Sequence, residues 1–431
     1  MTTSRELFSS PLAAILTMSG AAIGLGNIWR FPYMMGAYGG SAFFFVYLMF
    51  VLLFAVPALA GEWAFGRHAK GGTISAFVLS FGGTWGRVFG YVLTLSMLIS
   101  ASYYLIVIGN VAYMTWFSVV HGFDVQNNAV FLQNLSNGPW QYGVSLLVLL
   151  GILFVTYKGL NRGIELVSKL FVPFFFVVIV YLIFITFRLE GATEQMAVFL
   201  QPDFSKLGMQ SIFAALGQAA FSVGLGGTIM VIYGSYLSPE HSLLKGAAFT
   251  ALADTSAALL AALFIFPTIL VFGISPESGP TLLFETLPVL FMQMDGGRVI
   301  GSFFLLALLL VAFLSGLAVM EVVIGSLSDD SEFNGLNRNR TILIFGAVEA
   351  TIMLLPALVP DAIATMDLIF GSGMLAFGSA LALLGLTWGL KKVVFNAELG
   401  NGKIANYLFP WLRWVVPSIF LGIIALSILS A

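Results

Sequence analysis

Eleven apolar stretches, near residues 11–36, 40–66, 88–120, 140–157, 166–187, 209–237, 246–273, 299–327, 341–358, 364–390 and 408–430, follow one another with little between them. Each is close to the ~20 helical residues that cross the hydrocarbon of a bilayer. Lipid offers nothing to satisfy backbone amides and carbonyls, so such stretches are helices. The chain therefore reads as an all-α polytopic membrane protein, a single transmembrane domain over 1–431. Only 9% of its residues are charged, against about 25% in soluble domains, which excludes a water-soluble globule. The net charge of −2 gives no reason to expect nucleic acid as a partner. The absence of cysteine excludes disulfides, iron–sulfur clusters and thiol catalysis. No Gly-x4-Gly-Lys loop is present, so no ATPase is expected. His68, His121 and His241 fall in loops or at span ends, away from any hydrolytic dyad. Met1 to Ser10 reads as a short polar lead without a cleavable signal.

Loop charge sets an expected orientation. Starting from the inside, fourteen of the eighteen basic residues fall on the inner side. The outer side keeps Arg30, Arg188, Lys206 and Arg298. A cytoplasmic N-terminus and, after an odd number of spans, an external C-terminus follow, as expected in a bacterial inner membrane. The outer connection 274–298, with Pro276, Pro280 and Pro288, suits a short helical cap. The loop 328–340, with Asp329, Asp330 and Glu332, reads as a solvated inner turn.

Two of the spans carry glycine clusters at their centres, where a glycine costs about 1 kcal/mol relative to alanine. The first contains Gly20-Ala-Ala-Ile-Gly24-Leu-Gly26-Asn27, and the sixth Gly217-Gln-Ala-Ala-Phe221-Ser222-Val-Gly224-Leu-Gly226-Gly227. Close helix packing through small residues is one reading. The clusters, however, lie five spans apart, and paired interruptions in corresponding spans point to the binding site of a secondary transporter. A broken helix offers free amides to a carboxylate at one end and free carbonyls to a cation at the other.

The stretch Gly24-Leu-Gly-Asn-Ile-Trp-Arg30-Phe-Pro32 resembles the first-helix signature of the neurotransmitter:sodium symporters, in their bacterial amino-acid branch. Gly39-Gly40-Ser-Ala-Phe, Tyr47, Glu62-Trp63 and Gly66-Arg67 are similar to its second helix. Tyr103-Tyr104 resembles the third, Gly217-Gln218 with Phe221-Ser222 the sixth, and Met320-Glu321-Val-Val the eighth. The resemblance implies two inverted five-helix repeats, about 10–187 and 208–390, with discontinuous first and sixth helices and a peripheral eleventh helix near 408–430. It implies sodium-coupled uptake of an amino acid by alternating access, with one or two Na+ ions, a small amino acid and the lipid bilayer as partners.

By position, the resemblance assigns the first sodium to the Ala22 carbonyl, Asn27, Ser222, Asp254 and the substrate carboxylate. The second falls to the carbonyls of Gly20, Ile23 and Val311 and the hydroxyl of Ser315. The carboxylate is expected on the amides of Leu25 and Gly26 and on the Tyr104 hydroxyl. Ser100, Gly224, Gly227 and Val319 line the side-chain pocket, with Phe221 as its outer lid. Arg30 with Asp367 make the outer gate and Arg5 with Asp329 the inner one. Gly163 and Pro173 have the spacing at which the fifth helix unwinds in the family.

The residues refine these expectations. Monoamine-carrying relatives have aspartate where this chain has Gly24, so the cargo is expected to bring its own carboxylate. Asp254 lies mid-span, where a charge costs about 2.5–3.5 kcal/mol on insertion; it stands where chloride-requiring relatives have asparagine, which implies chloride independence. Ala258 lacks the hydroxyl of the chloride pattern, while Tyr47, Gln218 and Ser222 still surround that position. Gly227 replaces the phenylalanine of a leucine-selective relative, and the missing ring is expected to leave room for bulky, aromatic side chains. Two departures stand out: Leu314 replaces a threonine ligand of the second sodium, and Asn110 replaces a tryptophan. Plainer readings remain for several residues: Asp254 as a helix–helix hydrogen bond, Tyr104 as packing, Pro173 as a kink, the gate charges as solvated helix ends. A proton-coupled or sodium-independent carrier on this scaffold and a non-transporting sensor are the alternatives.

Overall fold

A computed structural model describes residues 5–273, 282–330 and 337–429; Pro276, Pro280 and Glu332 fall outside them. Among the described residues the chain is helical, with no strand. Helix α1 (Pro11–Ala22) starts where Ser10 accepts a hydrogen bond from the Ala13 amide and Pro11 fixes the first turn. It stops because Ile23 turns extended, and the chain re-enters a helix as α2 (Gly26–Ala37) at 63° to α1. The following spans are α3 (Ser41–Ala69), α4 (Gly83–Val120), α5 (Gly138–Tyr157) and α6 (Leu160–Thr186). A second broken pair comprises α7 (Met209–Ser222) and α8 (Ile229–Gly234). Then come α9 (Leu243–Val271), α10 (Gly297–Ser328), α11 (Arg338–Leu358) and α12 (Ala362–Gly389). The short α13 (Lys391–Leu399) leads into α14 (Lys403–Ala425).

Nine of these are single helices long and apolar enough to span, α1 with α2 makes a tenth, and α7 with α8 forms the two halves of the stretch read as the sixth span. The expected eleven crossings are therefore all present, with ends within a few residues of those read from apolarity. What apolarity missed are the short helices between spans, Thr73–Phe81, Val125–Leu135, Ala192–Leu200 and α13. The helical cap expected in 274–298 is present as Leu283–Gln293.

Burial sorts the spans by role. The most apolar windows of α4 and α10 are 72% buried, and those of α5 and α14 only 28%. Helices α4 and α10 pack along each other, and α10 also against α1 and α8 of the broken pairs, while α14 leans mainly on α12. Helix α1 touches α6, α9 and α10; α3 lies against α7 and α8. Backbone contact needs glycine in this interior: a Cβ on Gly234 of α8 would stand 2.6 Å from the Cα of Trp63 in α3. The two breaks thus meet at the centre of the bundle, walled by α4, α9 and α10.

Candidate functional site

At the first break the chain satisfies itself with its own side chain. The Gly24 amide donates to Asn27 Oδ1 at 3.1 Å, and the Asn27 amide closes a turn on the Gly24 carbonyl at 3.2 Å. The amides that open α2, including those of Leu25 and Gly26, have no intrahelical acceptor and carry the positive end of the helix dipole. Gly24 has no room for a side chain. A Cβ there would lie 2.9 Å from Ser315 Oγ and 3.1 Å from the Tyr104 hydroxyl. Two hydroxyls from α10 and α4 therefore press onto the break, and a carboxyl-bearing side chain at this position would displace both.

Beside the break sits the buried carboxylate. Asp254 of α9 is fully buried. Its Oδ1 accepts from Asn27 Nδ2 at 2.7 Å, its Oδ2 accepts from Ser222 Oγ at 2.6 Å, and Asn27 Nδ2 lies 3.1 Å from Ser222 Oγ. Three of the four chain residues expected to seat the first sodium, Asn27 of α2, Ser222 of α7 and Asp254 of α9, are thus hydrogen-bonded together, and the fourth, Ala22, is the last residue of α1 before the break. Tyr47, Gln218 and Thr255 line the same spot with buried polar atoms that make no hydrogen bond, whereas Ala258 presents only a methyl group. The Asp254 carboxylate and the Ser222 hydroxyl are hard oxygen donors of the kind an alkali cation takes, while Asn27 presents Nδ2 to them and turns Oδ1 to the Gly24 amide; among the described residues no group of three or more His, Cys, Asp or Glu suited to a metal ion exists.

The second seat is built differently. Ser315 Oγ donates toward the Ile23 carbonyl at 3.1 Å and lies 3.4 Å from the Val311 carbonyl. Gly20 faces α10, but the group opposite it is Leu314: a Cβ on Gly20 would meet Leu314 Cδ1 at 2.7 Å and Val172 Cγ2 at 3.1 Å. Methyl groups stand where the pattern calls for a hydroxyl. Three carbonyls and one hydroxyl remain, without a charge.

The second break, Val223 to Thr228, is longer. Gly224 and Gly227 take φ of +74° and +66°, a left-handed backbone that glycine alone adopts cheaply. Glu62 of α3 accepts a hydrogen bond from the Gly226 amide at 3.1 Å and so holds the unwound strand in place. Phe221, last but one in α7, lies over the first break, 2.8 Å from where a Gly26 Cβ would be. Ser100, one turn before Tyr104 in α4, and Val319, one turn after Ser315 in α10, are both buried. One expectation is corrected here. The ring absent at Gly227 leaves no room beside it, because the Gly378 backbone of α12 closes directly on that glycine.

The two pairs expected to act as gates, at the ends of the bundle expected to be inner and outer, are unequal. On the inner side Arg5 is ion-paired with Asp329, which also accepts from the Gly72 amide at 3.0 Å, and the Arg5 guanidinium stacks 4.6 Å from the Tyr236 ring. On the outer side Arg30 lies over Phe221 at 5.1 Å and Asp367 accepts from the Tyr103 hydroxyl at 3.0 Å. Arg30 and Asp367 share this face without direct contact. Gly163 lies in a π turn and Pro173 inside a continuous helix, so the segment between them is wound in this conformation.

The family profile described as Sodium:neurotransmitter symporter family matches residues 5–131 and 126–429. The chain belongs to that family. An uncharacterized sodium-dependent transporter of Bacillus subtilis is 30% identical over 95% of each chain, and one of Haemophilus influenzae is 29% identical over 97% of each. The crystal structure of MhsT in complex with L-phenylalanine superposes with a TM-score of 0.86 at 27% identity, covering 97% of this chain and 99% of that one. As a member of the symporter family, the chain is a sodium-dependent membrane transporter of a small substrate and not an enzyme.

For this symporter, sequence reasoning left several charged groups without a role. Glu321 of α10, quoted only as part of a motif, accepts from Tyr236 Oη at 2.6 Å and from Arg338 Nη2 at 2.6 Å. Glu62 was likewise a motif letter. Arg67 bonds Glu398 Oε2 at 2.6 Å and the His241 carbonyl at 2.7 Å, tying α3 to α13 and to the turn before α9. Burial, and then the neighbouring Arg67, hold the His241 imidazole below its ordinary pKa, so it stays neutral. The N-terminal strap is fixed by Glu6, which accepts from the Leu160 and Asn161 amides at 3.1 Å each. The cost of placing an acid inside an apolar span, which marked Asp254, marks Glu62 and Glu321 equally.

Proposed function

We propose that the chain carries a neutral amino acid, hydrophobic or aromatic, together with sodium by alternating access and without a chloride requirement. The observation that supports this most is the Asp254 carboxylate, buried against Asn27 and Ser222 one turn from the amides of Leu25 and Gly26. A cation seated there neutralises Asp254 and attracts a substrate carboxylate, which completes its coordination while resting on those amides and on Tyr104. Amino acid and ion then bind as a unit. With the fixed negative charge already in place, chloride has no task. The side chain of the cargo lies among Ser100, Val319, Phe221 and Gly224; the aromatic preference is supported by MhsT holding L-phenylalanine at 27% identity, no longer by space at Gly227.

In this reading the repeats span about 10–187 and 208–390. The N-terminus faces the cytoplasm of a bacterial cell, Arg30 and Asp367 close the outside, and Arg5 and Asp329 close the inside. Unwinding between Gly163 and Pro173 gives water access to the seat of Gly20, Ile23, Val311 and Ser315. The first seat, with its charge, binds sodium well and the second weakly. A proton-coupled or sodium-independent carrier is the second reading, and Leu314 is the observation that favours it.

Uptake of a panel of radiolabelled amino acids into proteoliposomes separates these readings. Replacing sodium by choline is expected to abolish uptake, and replacing chloride by gluconate to leave it unchanged, with phenylalanine and tryptophan competing better than alanine or glycine. Uptake that persists in choline sinks sodium coupling, and strict preference for glycine or alanine sinks the proposed side-chain pocket.

A further inference from the structure

The end of α12, α13 and the start of α14 carry a feature that transport does not use. Trp388 and Trp414 meet edge to face at 4.7 Å, with both rings exposed on the outside of the bundle. The Arg413 guanidinium lies 4.4 Å over Trp388 and 5.6 Å from both Trp414 and Phe409. Its Nε is buried without a hydrogen-bond partner, and among the described residues no acceptor is bonded to the guanidinium at all. Lys392 stands 5.7 Å over the same Phe409 ring, and its neighbour Lys391 at the start of α13 and Lys403 at the start of α14 are exposed. The nearby acid, Glu398, is committed to Arg67.

An arginine that faces lipid at the membrane boundary keeps its charge, so it needs an anion or water. Here two tryptophans of the kind that sit at headgroup level flank it, and Lys392 shares the Phe409 ring with it. The planar donor fork matches the two free oxygens of a phosphodiester. We infer that this surface binds the phosphate of an anionic glycerophospholipid, with its acyl chains against the exposed faces of Trp388 and Trp414. Arg413 holds the phosphate, and Lys391 and Lys392 add the attraction that selects a net negative headgroup. Bound lipid then rests on α13, the element that Arg67 and Glu398 join to α3.

Tryptophan quenching of the full chain in vesicles containing brominated phosphatidylglycerol or brominated phosphatidylcholine tests this directly. The W388F/W414F double variant supplies the background from the other tryptophans. About five-fold is expected per basic residue near an anionic headgroup. The native chain should therefore prefer phosphatidylglycerol by about five-fold or more, R413Q should lose about five-fold, and K391Q/K392Q should lose at least as much. Retained amino-acid uptake reports folding, and the exposed lysine pair carries the test if R413Q does not fold. Equal quenching by the two lipids in the native chain overturns the assignment, as does a preference unchanged in the lysine variant. Displacement by millimolar glycerol 3-phosphate overturns it too, by marking a site for soluble anions.

Discussion

The two polar clusters beside the break after α1 are built differently, one around a carboxylate and the other from neutral dipoles. Around Asp254, a full negative charge is buried with Asn27 and Ser222 as its hydrogen-bond partners. Around Ser315, only neutral dipoles converge, and Leu314 presses methyl groups against Gly20. A buried charge is costly unless compensated, so on the proposed function the first cluster is expected to recruit a cation strongly. Carbonyls and a hydroxyl are already satisfied in part by one another, so the second recruits one weakly. On the proposed function, this difference leaves the cargo seat complete and weakens one of the two ion seats.

The largest effect is expected from Asp254→Asn, which removes that distinction. Removing the charge of a buried, paired group costs about 3–5 kcal/mol, so sodium affinity, read from sodium-dependent amino-acid binding, should fall by more than ~100-fold. A drop of only a few-fold would place the coupling ion elsewhere. Next comes Tyr104→Phe. A hydrogen bond to a charged group contributes about 1.5–3 kcal/mol, so amino-acid affinity should fall at least ~10-fold, while the sodium concentration dependence at saturating substrate moves little.

Gly24→Ala tests how closely the hydroxyls crowd the break. Overpacking at this contact, about 1–3 kcal/mol, should raise the uptake KM by roughly 10-fold through displaced Tyr104 and Ser315. An unaffected KM would mean the break relaxes freely. Leu314→Thr sharpens the comparison from the other side. Restoring an oxygen beside Gly20 should strengthen sodium binding by about five-fold, one hydrogen bond's contribution, and steepen the sodium dependence of uptake. An unchanged sodium curve would show that the second cluster takes no part in coupling.

These positions also mark how far the sequence could be read. The spans were legible because apolar length is a strong constraint in lipid, and the breaks because glycine mid-span needs a reason. Asp254 was legible as an isolated acid in an apolar helix. The roles of Glu62 and Glu321 depend on partners 164 and 85 residues distant, Gly226 and Tyr236, and no local pattern encodes such pairings. Glu349 is buried in α11 with neither carboxylate oxygen bonded, and no functional role for it follows. Helices Val125–Leu135 and α13 escaped notice because they lie between spans, where neither length nor apolarity sets them apart. Gly227 failed for a packing reason: a missing side chain signals space only if the neighbouring backbone stays away, and Gly378 does not.

The central claim is that the break at Gly24 to Gly26 seats a cation and a carboxylate together. Calorimetric binding of one aromatic amino acid and of its decarboxylated amine, each with sodium or choline as the only monovalent cation, tests it most directly. The amino acid should bind in sodium alone and the amine in neither. Binding of the amine, or of the amino acid in choline, would contradict the account.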